Sequence, residues 1–522
     1  MRFCSCSRKC KRGCFDPQLF LGNTQIEVVK EHKFLGLIWD SKLNFNAHVA
    51  YLKKRCMKAL QIVRVVSHYN WGSDTKTLLK LFRSLVRSKL DYGSIVYGSG
   101  DKRGLEQLNI VHRHGLRLCL GAFKSSPIEA LYAEANEPPL ELRREELTMR
   151  YALKIKSNPD NATYDSIFKR PYRQLYEDAS FKSLGESINR LFSEAEINPG
   201  KIMTSEIPDT PIWCSEPNDV SFDLTMYDKG STSPEVFRAK FKEILPKYNG
   251  CVTIYSDGSK QDTKAGYGLT CGRDLASERI ADDSSIFTAE LEAIKRALKT
   301  IGDSVEIKKF VIFSDSKSVL ESIENQVSRN PIVITILDRL QELKKNGYSV
   351  QFCWVPSHVG IRGNERADQL AKAALNRVQL FQYKIPHTDY LPKVKSYMKE
   401  KWQARWDSKH GKRPIKLHKI IPEIQPFYIN SLSRRDEVVI HRIRIGHTRL
   451  THKHLMENRN EPWCNFCYMD SLTIEHLLIE CGHFSRIRRN YYRATDMRDL
   501  FERIPLRHII GFLKEANLYN EI

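Results

Sequence analysis

The sequence predicts an α/β domain, a mixed sheet layered with helices, between two mainly helical flanking regions. Within residues 247–376, apolar strand-like runs alternate with amphipathic helical segments, as in sheets that are covered by helices. Residues 1–150 and 377–522 instead place most of their apolar side chains at helical spacing. The chain has 522 residues, which is too long for one core, so several domains are expected.

The N-terminal region begins with short strands and continues as basic helices. Residues 19–29 predict two short strands around a Gly-Asn turn, and residues 32–40 predict a buried strand. From 44 to 120 the apolar spacing is helical, and Lys and Arg recur along these segments. Residues 151–246 are rich in Pro, Ser and Asn and only weakly periodic, so a connection or linker is expected there.

The central segment 247–376 has the most regular pattern. Its helix over 363–375 is expected to begin at Asn364 as the N-cap, because Asn side chains cap free backbone N–H groups. Another helix is expected at 287–302, and strands are expected at 251–256, 265–272, 310–313 and 348–356.

Positive charge is concentrated at the two ends of the chain. The formal net charge is +21, with 26 basic and 14 acidic residues in 1–150 and 27 basic and 16 acidic in 377–522. Basic flanks around a nearly neutral centre predict a polyanionic partner, either nucleic acid or an anionic membrane. A soluble protein that simply has a high pI is the alternative.

Several sequence features bear on compartment. No apolar run approaches the roughly 18–20 residues that cross a bilayer, and the N-terminus lacks the apolar segment of a signal peptide. The 13 cysteines form no evenly spaced framework, which indicates reduced thiols. We therefore expect an intracellular protein, in the nucleus or the cytoplasm, with no membrane and no small-molecule substrate as partner.

Four acidic residues of the central segment lie where acids are rarely placed. Asp257 and Asp315 end apolar strands, Glu290 lies early in a helix, and Asp368 lies among Ala and Leu. Converging carboxylates would repel and raise one another's pKa unless divalent cations were bound. Two Mg²⁺ ions, with Mn²⁺ as an alternative, about 3.5–4 Å apart could activate water on a phosphodiester. Otherwise each acid is a turn residue, a cap or an exposed charge.

Four motifs, in this order, resemble a type 1 ribonuclease H domain: YSDGS (255–259), TAELEAI (288–294), FSDSKSVL (313–320) and WVPSHVGIRGNERAD (354–368). The resemblance implies that Asp257, Glu290, Asp315 and Asp368 bind two Mg²⁺ ions and cleave the RNA strand of an RNA–DNA hybrid. It also implies that His358 assists product release or proton transfer, a role that suits an imidazole. A hydrogen-bonded loop histidine is the alternative for His358.

The N-terminal region resembles the end of the palm and the thumb of Jockey-like, LINE-type non-LTR retrotransposon reverse transcriptases. The motifs that carry this resemblance are FLGLIWDSKLNFNAHV (34–49) and SLVRSKLDYGSIVYGS (84–99), although an ordinary basic helical bundle is the alternative. The candidate for a polymerase Asp pair, Asp282 and Asp283, lacks the preceding aromatic residue and is expected to form a polar turn. We therefore expect a truncated or partial retrotransposon protein without polymerase activity.

Two groups of cysteines are candidate zinc sites. Near the C-terminus, the spacing C-x2-C-x8-H-x4-C predicts a Zn²⁺ site, with His483 as an alternative ligand and a packed cluster without metal as the alternative structure. Its expected ligands are Cys464, Cys467, His476 and Cys481. The spacing of the N-terminal group is not a common zinc pattern; its members are Cys4, Cys6, Cys10 and Cys14.

The C-terminal region as a whole resembles the tail of Jockey-like polyproteins, through RIGHTRLTHKHL (444–455) and the Cys/His segment that follows it. Aromatic and basic residues around the Cys/His segment could stack on and neutralise single-stranded nucleic acid, or could be core and solvated side chains. These residues are Trp463, Phe466, Tyr491, Tyr492, Arg486, Arg488 and Arg489.

The sequence therefore predicts a metal-dependent endonuclease for RNA–DNA hybrids within a retrotransposon protein. A catalytically silent nucleic-acid-binding remnant is the alternative. The expected domains are a palm-end and thumb-like region (1–150), a connection (151–246), the ribonuclease H domain (247–376) and a basic tail with the candidate zinc site (377–522).

Overall fold

The computed structural model describes residues 2–3, 18–169, 183–205, 217–304, 306–325, 328, 330–378, 383–408, 415–457, 460 and 462–522. It divides into two compact units. The first unit comprises Met1–Thr148 and Tyr397–Ile522, and the second comprises Met149–Ser396. The N-terminal cysteines Cys4, Cys6, Cys10 and Cys14 lie outside the described residues. No helix in the described part of the chain is long and apolar enough to span a membrane.

The strands are β1 Arg2–Phe3, β2 Phe20–Leu21, β3 Thr24–Gln25, β4 Glu27–Val28, β5 Glu31–Phe34, β6 Leu37–Asp40, β7 Asp219–Ser221, β8 Val252–Gln261, β9 Lys264–Cys271, β10 Asp274–Arg279, β11 Lys309–Ser314 and β12 Ser349–Trp354.

The helices are α1 Asn46–Val66, α2 Thr75–Phe82, α3 Ser88–Asp91, α4 Ser94–Tyr97, α5 Lys102–Leu120, α6 Ile128–Ala135, α7 Leu140–Lys156, α8 Tyr164–Phe168, α9 Leu184–Glu194, α10 Pro234–Ile244, α11 Ile286–Gly302, α12 Lys317–Glu324, α13 Pro331–Lys345, α14 Arg362–Ala374, α15 Leu391–Ser408, α16 Lys416–Ile420, α17 Arg434–Ile445, α18 Arg449–Glu457, α19 Ser485–Tyr491, α20 Met497–Arg503 and α21 Leu506–Glu515. The described residues also contain two π-helical turns, Arg83–Arg87 and His476–Glu480, and five short 3-10 segments.

The second unit is built on a six-stranded mixed sheet with the order β10-β9-β8-β11-β12-β7. Strands β8, β9 and β10 pair antiparallel, whereas β8, β11, β12 and β7 pair parallel. The predicted fold class, a mixed sheet with helices and helical flanks, is confirmed. The register places Asp257 of β8 opposite Gly268 of β9.

Helices cover both faces of this sheet. Successive residues of β11 alternate between two cores, because side chains of a strand point to opposite faces. Phe310 and Ile312 join the core formed with α11, α12 and α13. Val311 and Phe313 join a second core that includes residues of α10. This double coverage explains why residues 310–313 of the strand are all apolar.

The segment expected to be a connection, 151–246, has more structure than a linker. Strand β7 pairs in parallel with β12 and adds a sixth strand to the sheet. Helix α10 packs on the sheet through Phe237, Phe241 and Ile244. Abundant Pro and Ser predict a linker in this range, but the same residues can begin a helix. Pro234 is the first residue of α10 and follows the N-cap Ser233.

The first unit has one core formed by residues from both ends of the chain. For example, helix α17 packs against α5 and α6, so the N-terminal and C-terminal segments build a single body. The two strands expected around the Gly-Asn turn are present as β2 and β3. The predicted single strand at 32–40 is wrong: β5 and β6 form an antiparallel hairpin, because Leu35 and Gly36 turn the chain with positive φ.

Candidate active site

Three of the predicted carboxylates converge from three different elements. Asp257 lies on β8, Glu290 on the second turn of α11, and Asp315 directly after β11. One carboxylate oxygen from each lies within 4.8 Å of the other two. The parallel pairing of β8 with β11 brings the first and third together, and α11 supplies the second.

Gly258 permits the close approach of α11 to β8. A Cβ at this position would lie 2.7 Å from the backbone nitrogen of Glu290 and 3.0 Å from Cβ of Ala289. Such separations are too short for a side chain to fit without moving the helix. The backbone N–H of Gly258 also donates to Oδ1 of Asp257, at 2.9 Å. Helix α11 itself begins at a Ser285 cap, whose side chain accepts from Thr288 N–H.

Burial and mutual repulsion make these carboxyl groups weak acids. Burial, followed by the charges of Asp315 and Asp368, raises the pKa of Asp257 to about 8. Burial and the neighbouring Asp257 raise the pKa of Glu290 well above its usual value. Oε2 of Glu290 is buried and has no hydrogen-bond partner among the described residues. Buried carboxylates that repel one another are stabilised when they bind a proton or a cation.

Asp315 is oriented by Asn364, for which the sequence predicts a different role. Asn364 was expected to cap α14, but the helix begins at Arg362 and its N-cap is Ile361, so that prediction is wrong. Instead, buried Asn364 donates from Nδ2 to Oδ2 of Asp315, at 3.2 Å. Burial raises the pKa of Asp315, and the Asn364 hydrogen bond opposes that rise. Trp354 Nε1 donates to the Asp315 carbonyl, at 3.0 Å.

Asp368 lies in a second group, together with the predicted loop histidine. Ligand atoms of His358, Glu365 and Asp368 lie within 4.8 Å of one another. Lys372 donates to Asp368 at 2.7 Å. Glu365 is not among the site residues that the sequence predicts, although its spacing of three residues from Asp368 on one helix is a usable signal. Asp368 links the two groups, because its charge contributes to the raised pKa values of Asp257 and Asp315.

The Cys/His cluster of the first unit is also brought together. Ligand atoms of the predicted residues lie within 4.8 Å of one another, and His483 is not among them. The pairs are Cys464 with Cys481 (Sγ–Sγ 4.0 Å) and Cys467 with His476 (Sγ–Nε2 3.2 Å).

A turn between Cys464 and Tyr468 positions the first two thiols. The N–H of Tyr468 donates to the Cys464 carbonyl at 2.9 Å, and the N–H of Cys464 donates to the backbone carbonyl of Asp470 at 2.8 Å. Nδ1 of His476 lies 3.6 Å from a carboxylate oxygen of Glu480, which is too far for a hydrogen bond. Hydrogen bonding, first from the backbone at Met469, lowers the pKa of Cys467 to about 7, whereas burial raises that of Cys481 to about 11.

The aromatic and basic residues of the tail divide between surface and core. Trp463 is 63% exposed, whereas Tyr492 is buried and donates to the Leu478 carbonyl. Arg488 donates to the carbonyl of Cys481, which lies in the cluster. Tyr492 is therefore not available for stacking on a base. Asp282 and Asp283 form a turn, as expected.

The segment that contains this site matches a known protein family. The RNase H family model matches residues 249–376. The solved structures that resemble the chain include RNase H1 proteins and an RNase H domain. LC11-RNase H1, solved in complex with an RNA/DNA hybrid, is 20% identical and covers 24% of this chain and 96% of its own, with a TM-score of 0.21.

RNase H1 from Halobacterium salinarum NRC-1 is 24% identical and covers 24% of this chain and 97% of its own, with a TM-score of 0.20. The N-terminal RNase H domain of rv2228c from Mycobacterium tuberculosis is 22% identical and covers 24% and 98%, with a TM-score of 0.21. The family match alone identifies residues 249–376 as an RNase H domain within a longer chain.

Proposed function

We propose that this protein is a metal-dependent endonuclease that hydrolyses the RNA strand of RNA–DNA hybrids. The observation that carries the proposal is the convergence of Asp257, Glu290 and Asp315 within 4.8 Å inside the matched domain. Asp368 and His358, in the neighbouring group, complete the proposed catalytic set. Basic residues elsewhere in the chain supply attraction to the phosphate backbone.

The carboxylates fit Mg²⁺, or Mn²⁺, as ligands. They are hard oxygen donors, and the buried, unpartnered Oε2 of Glu290 is a group that a cation would satisfy. Asp257, Glu290, Asp315 and Asp368 would hold the ions. When bound, such ions activate water and stabilise the leaving oxygen of the phosphodiester.

The remaining residues of the site orient these ligands and handle protons. Asn364 fixes one oxygen of Asp315, leaving the other free to bind. Gly258 fixes the distance between Asp257 and Glu290 by allowing β8 and α11 to touch. The exposed imidazole of His358 can exchange a proton with solvent beside the carboxylates. Lys372 holds one carboxylate oxygen of Asp368 by an ion pair, at 2.7 Å.

Cleavage of a labelled hybrid tests the proposal. Purified full-length protein with Mg²⁺ should cut the RNA strand of the hybrid and leave single-stranded RNA and duplex DNA intact. Asp257→Asn should abolish cleavage, because it keeps the shape of the side chain and removes its charge. Asp274→Asn, an exposed aspartate on β10, is the matched control. Hybrid binding without cleavage by the wild type would instead support a silent nucleic-acid-binding remnant.

We further propose that Cys464, Cys467, His476 and Cys481 bind one structural Zn²⁺. Three thiols and one imidazole within 4.8 Å suit a closed tetrahedral site. Metal analysis of purified protein should give one zinc per chain, and Cys464→Ser should lose it.

We also propose a retrotransposon origin, with a palm-end and thumb-like region at 1–150 and a tail at 377–522. The support is the resemblance of residues 34–49, 84–99 and 444–455 to Jockey-like proteins. Because this region resembles only the end of the palm and the thumb, a primer-extension assay should give no DNA synthesis, and extension would contradict the expected lack of polymerase activity.

A further inference from the structure

Residues 219–248 precede the matched region 249–376, yet they pack against the loop 355–361 that carries His358. We infer that this segment is a working part of the nuclease and that its residues Lys229 and Arg238 position His358. The inference rests on the proposed function, because it assigns these residues a role in the same site.

The apolar contacts anchor the loop on both sides of His358. Val355, Val359 and Ile361 are buried in one core with residues of α10, among them Phe237 and Phe241. Phe237 is fully buried, so this packing is not a surface contact. Without 219–248, these three loop residues would lose that cover and expose apolar surface.

One hydrogen bond and one close steric approach restrain the exposed part of the loop. Lys229 donates from Nζ to Oγ of Ser357, at 2.6 Å, next to His358 in sequence. Arg238 lies against Gly360, where a Cβ would meet Nη1 at 2.8 Å. Arg238 is itself held by Glu235 of its own helix, at 2.7 Å. The contacts therefore bracket His358 at positions 357 and 360.

The backbone of His358 needs such restraint. Its φ is +58°, a left-handed conformation that L residues other than glycine adopt infrequently and that surrounding contacts must stabilise. In this conformation the imidazole lies within 4.8 Å of ligand atoms of Glu365 and Asp368. Glu365 contributes a further restraint, since it accepts from Gly360 N–H at 3.1 Å. A loop released from 219–248 would place the imidazole less often beside the carboxylates.

The first experiment measures cleavage of a labelled hybrid by full-length variants. Lys229→Met removes the donor to Ser357 and keeps the aliphatic stem, and it should lower kcat about threefold to tenfold with KM unchanged. Lys229→Arg should restore most of the rate. Lys240→Met, on α10 and paired with Glu243, is the matched control and should behave as wild type.

A double-mutant cycle with His358→Ala separates positioning from a general loss of structure. If Lys229 acts through His358, Lys229→Met should have no further effect on kcat in the His358→Ala background. Equal effects in both backgrounds would overturn the inference, as would unchanged kcat in Lys229→Met.

Hydrogen exchange provides a readout that does not depend on activity. Amides of 355–361 should exchange faster in the variant that combines Lys229→Met with Arg238→Met than in wild type or Lys240→Met. Unchanged exchange would overturn the inference even if the wild type cleaves hybrids. Faster exchange with an inactive wild type would contradict the proposed function alone and leave the loop contacts established.

Discussion

The carboxyl groups of Asp257 and Glu290 lie within 4.8 Å of each other, although they come from a strand and a helix. Burial is the main cause of the raised pKa of both residues, and each also feels the charge of other carboxylates in the site. In the unfolded chain these acids are solvated and far apart. Folding without a cation therefore opposes their ionisation, so the site costs stability.

Removal of one of these charges should stabilise the metal-free protein. We expect Asp257→Asn to raise the free energy of unfolding of the second unit by on the order of 2 kcal/mol near pH 8. Denaturant unfolding in EDTA measures this change, with Asp274→Asn as the control for an exposed aspartate. A variant less stable than wild type would show that Asp257 is held by favourable contacts, contrary to its raised pKa.

Stability should also depend on pH in a direction set by these groups. Unfolded Asp and Glu titrate near pH 4, whereas the folded pKa of Asp257 is raised to about 8. The folded state therefore binds more protons in this window. The stability that the protonated Asp257 contributes is fully present below about pH 4 and is lost as the pH rises through about 8.

Mg²⁺ should offset this loss by taking the place of the protons. We expect the rise in Tm on adding Mg²⁺ to be larger near pH 8 than near pH 5. Thermal scans with and without EDTA at both pH values test this. If Mg²⁺ raised the Tm equally at the two pH values, or still raised it in Asp257→Asn, the cation would not be binding at these carboxylates.

Gly258→Ala should disrupt the site without removing any ligand. The new Cβ would lie 2.7 Å from the backbone nitrogen of Glu290, so α11 must move away from β8. We expect kcat to fall about a hundredfold, since small displacements of catalytic groups have effects of this size. Gly482→Ala, where a Cβ meets nothing within 4 Å, is the matched control. If Gly258→Ala cleaved hybrids at the wild-type rate, the close approach of α11 to β8 would not be needed for activity.

Much of the second unit could be predicted because its signals are local. The apolar run before Asp315 and the periodicity of the helix bearing Glu290 give the elements directly. The hydrogen bond from Asn364 to Asp315 could not be predicted, because it joins residues distant in sequence. A cap and an internal side chain in a first helical turn look alike in a sequence, and only tertiary contact distinguishes them.

Pairing between distant segments was also invisible to local patterns. Strand β7 has three residues, too few for a periodic signal, and is stabilised by its neighbour β12. The sequence predicts one strand at 32–40 because Leu35, which turns the chain together with Gly36, is apolar, although it is 74% exposed in the structure. Such a residue in a left-handed turn gives no turn signal.

The thiols of Cys467 and Cys481 should differ in reactivity when zinc is removed from the Cys/His cluster. The pKa of Cys467 is lowered to about 7, whereas burial raises that of Cys481 to about 11. Near pH 7.5 iodoacetamide should therefore modify Cys467 first in zinc-free protein, because the thiolate is the nucleophile. Mass spectrometry of alkylated peptides measures this order. Added Zn²⁺ should protect the site, and equal alkylation with and without Zn²⁺ would indicate a packed cluster that binds no metal.

A buried ionic contact joins the two chain segments of the first unit. Glu134 of α6 accepts from His441 Nδ1 at 2.7 Å and from Arg444 Nε at 3.0 Å, and all three side chains are almost fully buried. Burial alone would raise the pKa of Glu134, but Arg444 and His441 hold it below its usual value. The carboxylate is therefore ionised and depends on partners more than 300 residues away.

Loss of this contact should destabilise the first unit as a whole. Glu134→Ala leaves Arg444 buried without its carboxylate, which is expected to cost about 3–5 kcal/mol, and Arg444→Ala should cost a similar amount. Their combination should be less harmful than the sum, since the second change removes a charge already left unpaired. Denaturant unfolding of the four proteins measures this coupling. Glu106→Ala, a largely exposed acid paired with Arg113, is the control and should cost less than about 1 kcal/mol. If the destabilising effects of Glu134→Ala and Arg444→Ala were additive, the two residues would not stabilise the unit through a shared contact.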